Sequence, residues 1–325
     1  MDLSIISVSY NSLDYLRSCV ASIYQWTRGI SFEIIIVDNA SPKGDIDRLK
    51  EEFPEIKLVK SDTNLGFAGA NNLGFRHSSG DWIVFLNPDT KLTSPALSGM
   101  IDQAESLPEL GIAGCRLLNA DGSVQTSSIM NFPRILNSIF QLEYLRLRWP
   151  SLCGIGPLFA NDPKPAQVEA LSGACMLVKR QVFQELGMFS EEYFMYSEDL
   201  DLCCKAVRSG RRNYYIGQAS MIHYGGKSSG AEWQTTTKTK AELLFCERNY
   251  RRPYAYAFRT ALAFNAVARL SVIALLGLFG SKISAKYELE RANARWRCIL
   301  KTLLAREQSL RGKVENGAGY LASGA

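Results

Sequence analysis

Several polar clusters in this sequence carry residue types that could do chemistry. Asn87-Pro88-Asp89 ends a continuous apolar run, Trp82 to Leu86, that follows Gly80 and Asp81. Such a run reads as a buried strand that delivers a carboxylate to its C-terminal end, the edge where ligands bind in open α/β sheets. Asp89 could there supply the oxygen that a divalent cation bridging two phosphates requires. Asn-Pro-Asp-Thr is also ordinary turn chemistry, so an Asx turn or a helix cap accounts for the same residues. His223, one of two histidines, lies in the Gly- and Ser-containing run Ile222 to Ser229, read as a loop. Imidazole beside carboxylate and phosphate oxygens suits octahedral Mn or Mg, although a lone histidine is more often structural. Ser197-Glu198-Asp199-Leu200-Asp201 opens a helix. A helix N-terminus favours an ionised carboxylate, so Asp199 could accept a proton from a hydroxyl; capping is the alternative use. Asp38 could accept a hydrogen bond from a nucleobase N–H, or cap the helix that follows. The run Asn64 to Asn72 could bring backbone amides to a diphosphate, its glycines permitting close approach. Its glycine spacing is neither a dinucleotide fingerprint nor a Walker A loop.

The elements that must position these residues follow from periodicity. Leu3 to Ser9 is a β-branched run, then Tyr10-Asn11-Ser12 turns into a helix marked by Leu13, Leu16, Val20, Ile23 and Tyr24. Phe32 to Val37 repeats the pattern, with a turn through Asp38-Asn39-Ala40-Ser41-Pro42 and a helix near Asp45 to Phe53. Ile56 to Val59 is a third strand, Leu65 to His77 a third helix, and Trp82 to Leu86 the fourth strand. Strands alternating with helices predict an α/β fold with a Rossmann-like, largely parallel sheet, its site along one edge where Tyr10-Asn11, Asp38-Asn39 and Asn87 to Asp89 converge. Farther on the pattern predicts a strand over Ile112 to Leu118 with a hairpin turn at Asn119 to Gly122, and a strand over Ala170 to Val178. A short helix follows at Arg180 to Leu186, then one from Ser197 to about Arg208 and a strand over Asn213 to Ile216. Asn131 to Asn161 shows no steady period and reads as an insertion. Helices are expected over Trp233 to Tyr250, Tyr254 to Phe279 and Ser284 to about Arg306. The middle one is apolar but interrupted by Arg259, Asn265 and Arg269. Its unbroken part, Leu270 to Gly280, is too short to span a bilayer, so it is expected to lie on a membrane or pack on the protein.

At 325 residues and a formal net charge of +5, the chain can bury a large core and is not charged enough to be read as a nucleic-acid binder. The positive charge is local. From Lys282 to Lys313 there are nine Lys or Arg against three Glu, a basic segment that suits an anionic membrane surface or, alternatively, a homo-oligomer contact. The eight cysteines form no Cys-x-x-Cys pair, so a reduced, cytoplasmic setting is expected. Met1-Asp2 leads straight into a strand, and no secretory leader is read.

The order of the pieces resembles the inverting family 2 glycosyltransferases of the GT-A fold, most closely their bacterial rhamnosyltransferase branch. The motifs are Ser7 to Asn11, Val37 to Ser41, Asn64 to Ala68, Leu86 to Asp89, Gly173 to Met176, Phe194 to Cys203 and His223 to Ser229, spread over about the first 230 residues. The resemblance implies a nucleotide-sugar surface made of Ser9, Asn11, Asp38, Asn64, Gly66, Phe67, Asn71, Asn87 and Asp89, with Asp38 at the base. It implies Mg2+ or Mn2+ held by Asp89 and His223, Asp199 as general base, and Gly173, Glu198 and Asp201 on the acceptor or supporting side. The metal motif of the family is often Asp-x-Asp; here its first position is Asn87, as is common in the rhamnosyl branch. The implied organisation is a catalytic domain over 1–230, with a nucleotide-sugar half to 118 and an acceptor half after it. A basic helical extension over 231–312 and a flexible tail over 313–325 complete it. The implied function is inverting transfer of L-rhamnose from dTDP-rhamnose to a lipid-linked glycan, peripheral on the inner face of the plasma membrane. A UDP-sugar donor and a catalytically silent nucleotide-sugar-binding subunit are the alternatives. A sugar nucleotidyltransferase would be expected to carry a Gly-rich, Arg-containing loop after the first strand, and Tyr10 to Asp14 is no such loop.

Overall fold

The computed structural model describes residues 1–140, 149, 156–159, 164–225, 230–278 and 283–304. Contacts divide the chain into two compact units. One comprises Met1–Phe132, Leu145–Phe194 and Glu198–Gly225; the other comprises Pro133–Tyr144, Met195–Ser197 and Gly226–Ala325.

The first unit is built on a sheet whose four leading strands are β1 (Leu3–Ser9), β2 (Phe32–Asp38), β3 (Lys57–Lys60) and β4 (Trp82–Leu86). They run parallel in the order β3-β2-β1-β4, with Ile5 opposite Ile34 and Val84. Helices α1 (Leu13–Trp26), α2 (Asp47–Glu52) and α3 (Gly66–Arg76) make the crossovers. Every residue of β4 is buried, as expected of a strand covered on both faces. Alternate side chains serve two cores. Ile5, Ile34, Ile36, Val84 and Leu86 join the residues of α1 and α2 on one face. On the other, Phe85 meets Phe183 and Phe189, each 4.8 Å away between ring centroids, and Phe75 and Phe67 extend the cluster. Helix α3 comes close because Gly74 has no side chain: a Cβ there would stand 2.5 Å from Ile6 Cγ2 and 3.0 Å from Val37 Cγ2.

Beyond β4 the sheet is mixed rather than parallel. The chain forms β5 (Thr90–Leu92), α4 (Ala96–Ala104) and β6 (Leu110–Leu118), of which the first two were not expected from periodicity. Short strands β7 (Ile129–Met130), β8 (Ala166–Val168) and β9 (Ala170–Leu171) follow, then β10 (Cys175–Lys179) and β11 (Arg212–His223). The expected single strand over Ala170 to Val178 is thus two strands broken at Ser172-Gly173-Ala174. Strand β10 enters the sheet beside the end of β4 and so runs antiparallel to it, with Cys175 opposite Leu86 and Lys179 opposite Trp82. Strand β11 is longer than expected, because a register shift between Ile216 and Ser220 carries it past the polar Gly217 and Gln218. His223 accordingly ends a strand opposite Thr90 and does not lie in a loop. The turn after β6 is closed by Asn119 N donating to the Ser123 carbonyl and by Gly122 at φ +82°. Helices α5 (Ile135–Phe140), α6 (Arg180–Glu185) and α7 (Glu198–Arg208), with short 3-10 turns at Thr126–Ser128 and Gly156–Phe159, complete the described elements to residue 225, α5 falling in the stretch where no period was read.

The N-terminal edge of the parallel strands is tied by Glu33. Its Oε1 accepts from Ser4 Oγ at 2.6 Å and from Ser79 N and Oγ at 2.6 and 2.8 Å, and Lys57 Nζ lies 2.5 Å from Oε2. Burial alone would push this carboxyl up, but the donors from Lys57, Ser4 and Ser79 outweigh it and hold the group at about 2 against an ordinary 4.5. A depressed carboxylate contributes stability above its unfolded value and loses it as pH falls through the folded one. Glu33→Gln should therefore cost about 2–3 kcal/mol at pH 7, and the difference from wild type should shrink between pH 4.5 and 2. Urea unfolding at pH 7 and pH 3 checks this; equal stability of the two proteins at pH 7 would refute it.

The second unit packs α5 with α8 (Ala231–Asn249), α9 (Arg252–Leu278) and α10 (Ile283–Leu304) around Phe258, Leu262, Ala266, Trp296, Ile299 and Leu303. The polar residues that interrupt α9 in sequence all turn toward neighbours. Arg259 Nε donates to the Leu303 carbonyl at 2.9 Å, Asn265 Nδ2 donates to the Ser138 carbonyl at 2.8 Å, and Arg269 lies over the Trp296 ring. Tyr256, Phe264, Val267, Val272 and Leu275 remain exposed. By length and composition alone, residues 252–275 form a helix that could cross a membrane, a longer stretch than the unbroken apolar run Leu270 to Gly280. Residues 226–229, most of the insertion, and the chain after 304 with its terminal basic residues lie outside the described residues.

Candidate active site

The C-terminal ends of β1, β2 and β4 face one edge, and each is followed by a turn held by side chains. At the end of β1, Ser9 Oγ and Ser12 Oγ are 3.0 Å apart; Asn11, at φ 54°, receives Lys43 N on Oδ1 and donates its own N–H to Ser41 Oγ at 3.0 Å. At the end of β2, buried Asp38 accepts from Ser41 N at 3.3 Å and closes a local turn; it does not cap the helix that follows, which begins only at Asp47. Ala40 at φ 61° and, farther along, Tyr196 and Ser197 at φ 71° and 64° are also non-glycine residues in the left-handed region. Strain of this kind persists where surrounding structure over-determines it, and it collects at functional sites.

Asn39 organises the third turn. Its Nδ2 donates to Asn64 Oδ1 at 2.9 Å and to the Gly66 carbonyl at 3.3 Å, and its Oδ1 accepts from Leu65 N at 2.8 Å. Gly66 N donates to Asn64 Oδ1, and Phe67 N to the Phe194 carbonyl at 2.7 Å. The amides of Leu65, Gly66 and Phe67 are thus spent inside the protein. Within the run Asn64 to Asn72 these three amides are taken by the side chain of Asn39, by that of Asn64 two residues before, and by the backbone carbonyl of Phe194. Gly66 is required on steric grounds: at φ +72° its Cβ would stand 2.2 Å from the Phe194 carbonyl oxygen. Asn71 donates to the Phe67 carbonyl within α3, and its neighbour Asn72 bridges to Phe189 and Glu191.

Asn87 acts through its backbone. Its N–H donates to the Ala174 carbonyl at 3.0 Å, and its carbonyl accepts from Thr90 N and Thr90 Oγ1. One residue before Ala174, Gly173 N donates to Asp199 Oδ2 at 2.9 Å. The break between β9 and β10 thereby joins the β4 turn to the start of α7. A Cβ on Gly173 would lie 3.3 Å from Asp199 Oδ2 and 3.6 Å from Phe67 Cζ, so the residue keeps both close. Asp199 also accepts from Leu200 N at 2.8 Å, and two backbone donors stabilise negative charge on that carboxylate. Glu198 beside it is pushed well above the carboxylate range, first by burial and then by the charge of Asp199. The adjacent acids therefore differ in surroundings: Glu198 is buried beside a like charge, whereas Asp199 receives two backbone donors. Asp201 belongs to the support: it accepts from Ser190 Oγ at 2.7 Å and Tyr193 OH at 3.3 Å, with Lys205 Nζ 3.4 Å away.

His223 Nε2 lies 3.4 Å from Asp89 Oδ1, and Tyr224 N donates to the Asp89 carbonyl at 2.9 Å. The pairing of β11 with β5 brings together two residues far apart in the chain. Adjacent octahedral donors with bonds of about 2.1 Å sit about 3 Å apart, so this pair fits a shared divalent cation after a small adjustment. Among the described residues no group of three or more His, Cys, Asp and Glu gathers for a metal; of these, Asp89 and His223 would supply two ligands. Two residues of this edge had no assigned role from sequence, Asn39 and Gln125. Asn39 sits inside a recognised motif but beside the more obvious Asp38. Gln125 is 98 positions from His223, whose Nδ1 lies 2.9 Å from its Oε1, and no local pattern marks it.

The chain is similar in sequence and fold to known proteins. The profile described as Glycosyl transferase family 2 matches residues 4–187. The chain is 26% identical over 286 residues to the N-acetylglucosaminyl-diphospho-decaprenol L-rhamnosyltransferase of Mycobacterium tuberculosis, covering 81% of this chain and 91% of that one. It is 25% identical to the rhamnosyltransferase WbbL of Escherichia coli K12 over 68% of this chain and 82% of that one. Among solved structures, the mannosyltransferase PcManGT from Pyrobaculum calidifontis, in complex with GDP-Man and Mn2+, superposes with a TM-score of 0.58 at 17% identity, covering 92% of this chain and 85% of that one. The sheet with its antiparallel insertion after β4 is the GT-A fold, and the profile spans more than half of the chain; the protein belongs to the family 2 glycosyltransferases, near their rhamnosyltransferase branch.

Proposed function

We propose that the protein transfers L-rhamnose, with inversion, from dTDP-rhamnose to a hydroxyl of a lipid-linked glycan on the cytoplasmic face of the membrane. The observation that carries the mechanism is the fixed carboxylate of Asp199, held by Gly173 N and Leu200 N one residue from the segment that binds the β4 turn. Asp199 takes the proton of the acceptor hydroxyl as that oxygen attacks the anomeric carbon, and the bond to the diphosphate breaks on the opposite face. Burial and the charge of Asp199 raise the Glu198 carboxyl above its ordinary value, which leaves Asp199 the better placed of the two for this role. Asp89 and His223 would hold Mg2+ or Mn2+, which when bound neutralises charge on the departing diphosphate. Ser9, Asn11 and Asp38 line the edge assigned to the nucleotide, and Asn39 and Asn64 brace it.

The rhamnosyl donor and the lipid-linked acceptor are supported by the names of the relatives, the Mycobacterium tuberculosis enzyme above all. Membrane contact is supported by the exposed apolar residues of α9 and the basic residues that follow in sequence, a combination that suits an interface with anionic lipid. One preparation of the full chain tests both parts. dTDP-rhamnose with Mn2+ or Mg2+ should raise the unfolding temperature more than UDP- or GDP-sugars do, by mass action. The protein should also float with anionic vesicles at low salt. Stabilisation by a UDP-sugar in preference would overturn the donor, and failure to float would overturn the membrane contact.

A further inference from the structure

We propose that Gln125 is a positioning residue that sets the tautomer of His223 and so presents Nε2, with its lone pair, toward Asp89. This rests on the reading of Asp89 and His223 as metal ligands. The orientation of the Gln125 amide is dictated by its partners. Nε2 lies 2.5 Å from the His223 carbonyl oxygen, which can only accept, and 2.9 Å from Asn119 Oδ1. The NH2 group must therefore face these two oxygens, and Oε1 must face His223 Nδ1 at 2.9 Å. Oε1 can only accept, so Nδ1 carries a hydrogen. In the neutral ring the lone pair is then left on Nε2, the atom 3.4 Å from Asp89 Oδ1.

Asn119 is oriented by the same logic. Its Nδ2 donates to Ser123 Oγ at 2.8 Å, and that hydroxyl spends its hydrogen on Asp121 Oδ1 at 2.6 Å. The turn after β6 thus relays an orientation from Asp121 through Ser123, Asn119 and Gln125 to the imidazole. The backbone seats the relay, since Gln125 N donates to the Leu117 carbonyl at 2.8 Å. Without the amide, the carboxylate of Asp89 would draw the ring hydrogen to Nε2 and hide the lone pair. Partners of this kind behind a ligating histidine are worth about 10–100-fold in metal affinity.

The test uses the full chain with Gln125→Met, which keeps the length of the side chain at a half-buried position, and Gln125→Glu, which keeps an oxygen opposite Nδ1 but loses the donor to the His223 carbonyl and Asn119, so thermal unfolding is measured beside binding in both variants. Nitrogen-15 NMR of the metal-free protein reads the tautomer, with only His77 and His223 to distinguish. Electron paramagnetic resonance reads binding of Mn2+ alone and with dTDP. Gln125→Met should move the His223 hydrogen toward Nε2 and weaken Mn2+ by about 10–100-fold, while Gln125→Glu should keep the Nδ1–H form and bind closer to wild type. Wild-type affinity and tautomer in Gln125→Met would overturn the proposal, as would equal losses in the two variants, which mark a merely structural role. If wild type itself binds no Mn2+, the metal reading fails and this proposal with it. Binding that His223→Ala abolishes but Gln125→Met leaves intact overturns only the role of Gln125.

Discussion

Asp199→Asn should lower kcat by about 10²–10⁴-fold while leaving donor affinity nearly unchanged, the span expected for loss of a positioned general base. The substitution preserves shape but not hydrogen-bonding sense. Both carboxylate oxygens accept backbone N–H groups, from Gly173 and Leu200; an amide must turn its NH2 toward one of them. That mismatch leaves a buried donor without an acceptor and should cost about 1–3 kcal/mol, so thermal unfolding must be measured beside turnover. The two effects separate cleanly, because lost stability lowers the amount of folded enzyme and a lost base lowers the rate of each folded molecule. Glu198 should not rescue the variant at neutral pH. Burial pushes its carboxyl up, and although removal of the Asp199 charge takes away the second cause, the first remains. Calorimetric titration with donor and steady-state kinetics decide the matter; turnover within a few-fold of wild type with intact donor binding would remove Asp199 from its role.

Asp89→Ala should abolish metal-stimulated turnover, a loss of about 10³-fold or more if the cation supplies several kcal/mol of charge stabilisation. Asn87→Ala should be much milder, and the structure supplies the reason. The contacts that hold the β4 turn run from the main chain of Asn87 to Ala174 and Thr90, and they survive truncation of its side chain. The backbone anchor of Asp89, its carbonyl receiving Tyr224 N, also survives in the alanine variant. The protein should then fold while lacking one of two ligands. Turnover titrated against Mg2+ and Mn2+, with Mn2+ binding read separately, checks both variants. An Asn87→Ala enzyme as impaired as Asp89→Ala would show that the first position of the motif acts through its side chain.

These expectations draw on different levels of information. Strands β1 to β4 and helices α1 to α3 were readable because the hydrophobic period of each element is local, and parallel alternation forces their C-terminal ends to one edge. Asp38, Asp89 and Asp199 could be picked out for the same reason: each follows a run whose structure the neighbouring residues dictate. Two local signals misled. The polar Gly217-Gln218 pair read as the end of a strand that a register shift in fact continues, and the arginines of α9 read as breaks in an apolar helix although their heads are satisfied by α10.

By itself, the sequence determined the alternation of elements, the edge on which the acids collect and the family to which their order belongs, all properties of residues near one another in the chain. Only the tertiary structure decided how those residues are used. It spent the amides of Leu65 to Phe67 on Asn39, Asn64 and Phe194, turned Asp201 into a buried support, and placed Gln125 behind His223. Hydrogen bonds between groups separated by tens of residues depend on strand pairing and register, which no local pattern encodes; that is why Asn87-Pro88-Asp89 could be recognised as a site from its own residues, while the partners that orient it could not.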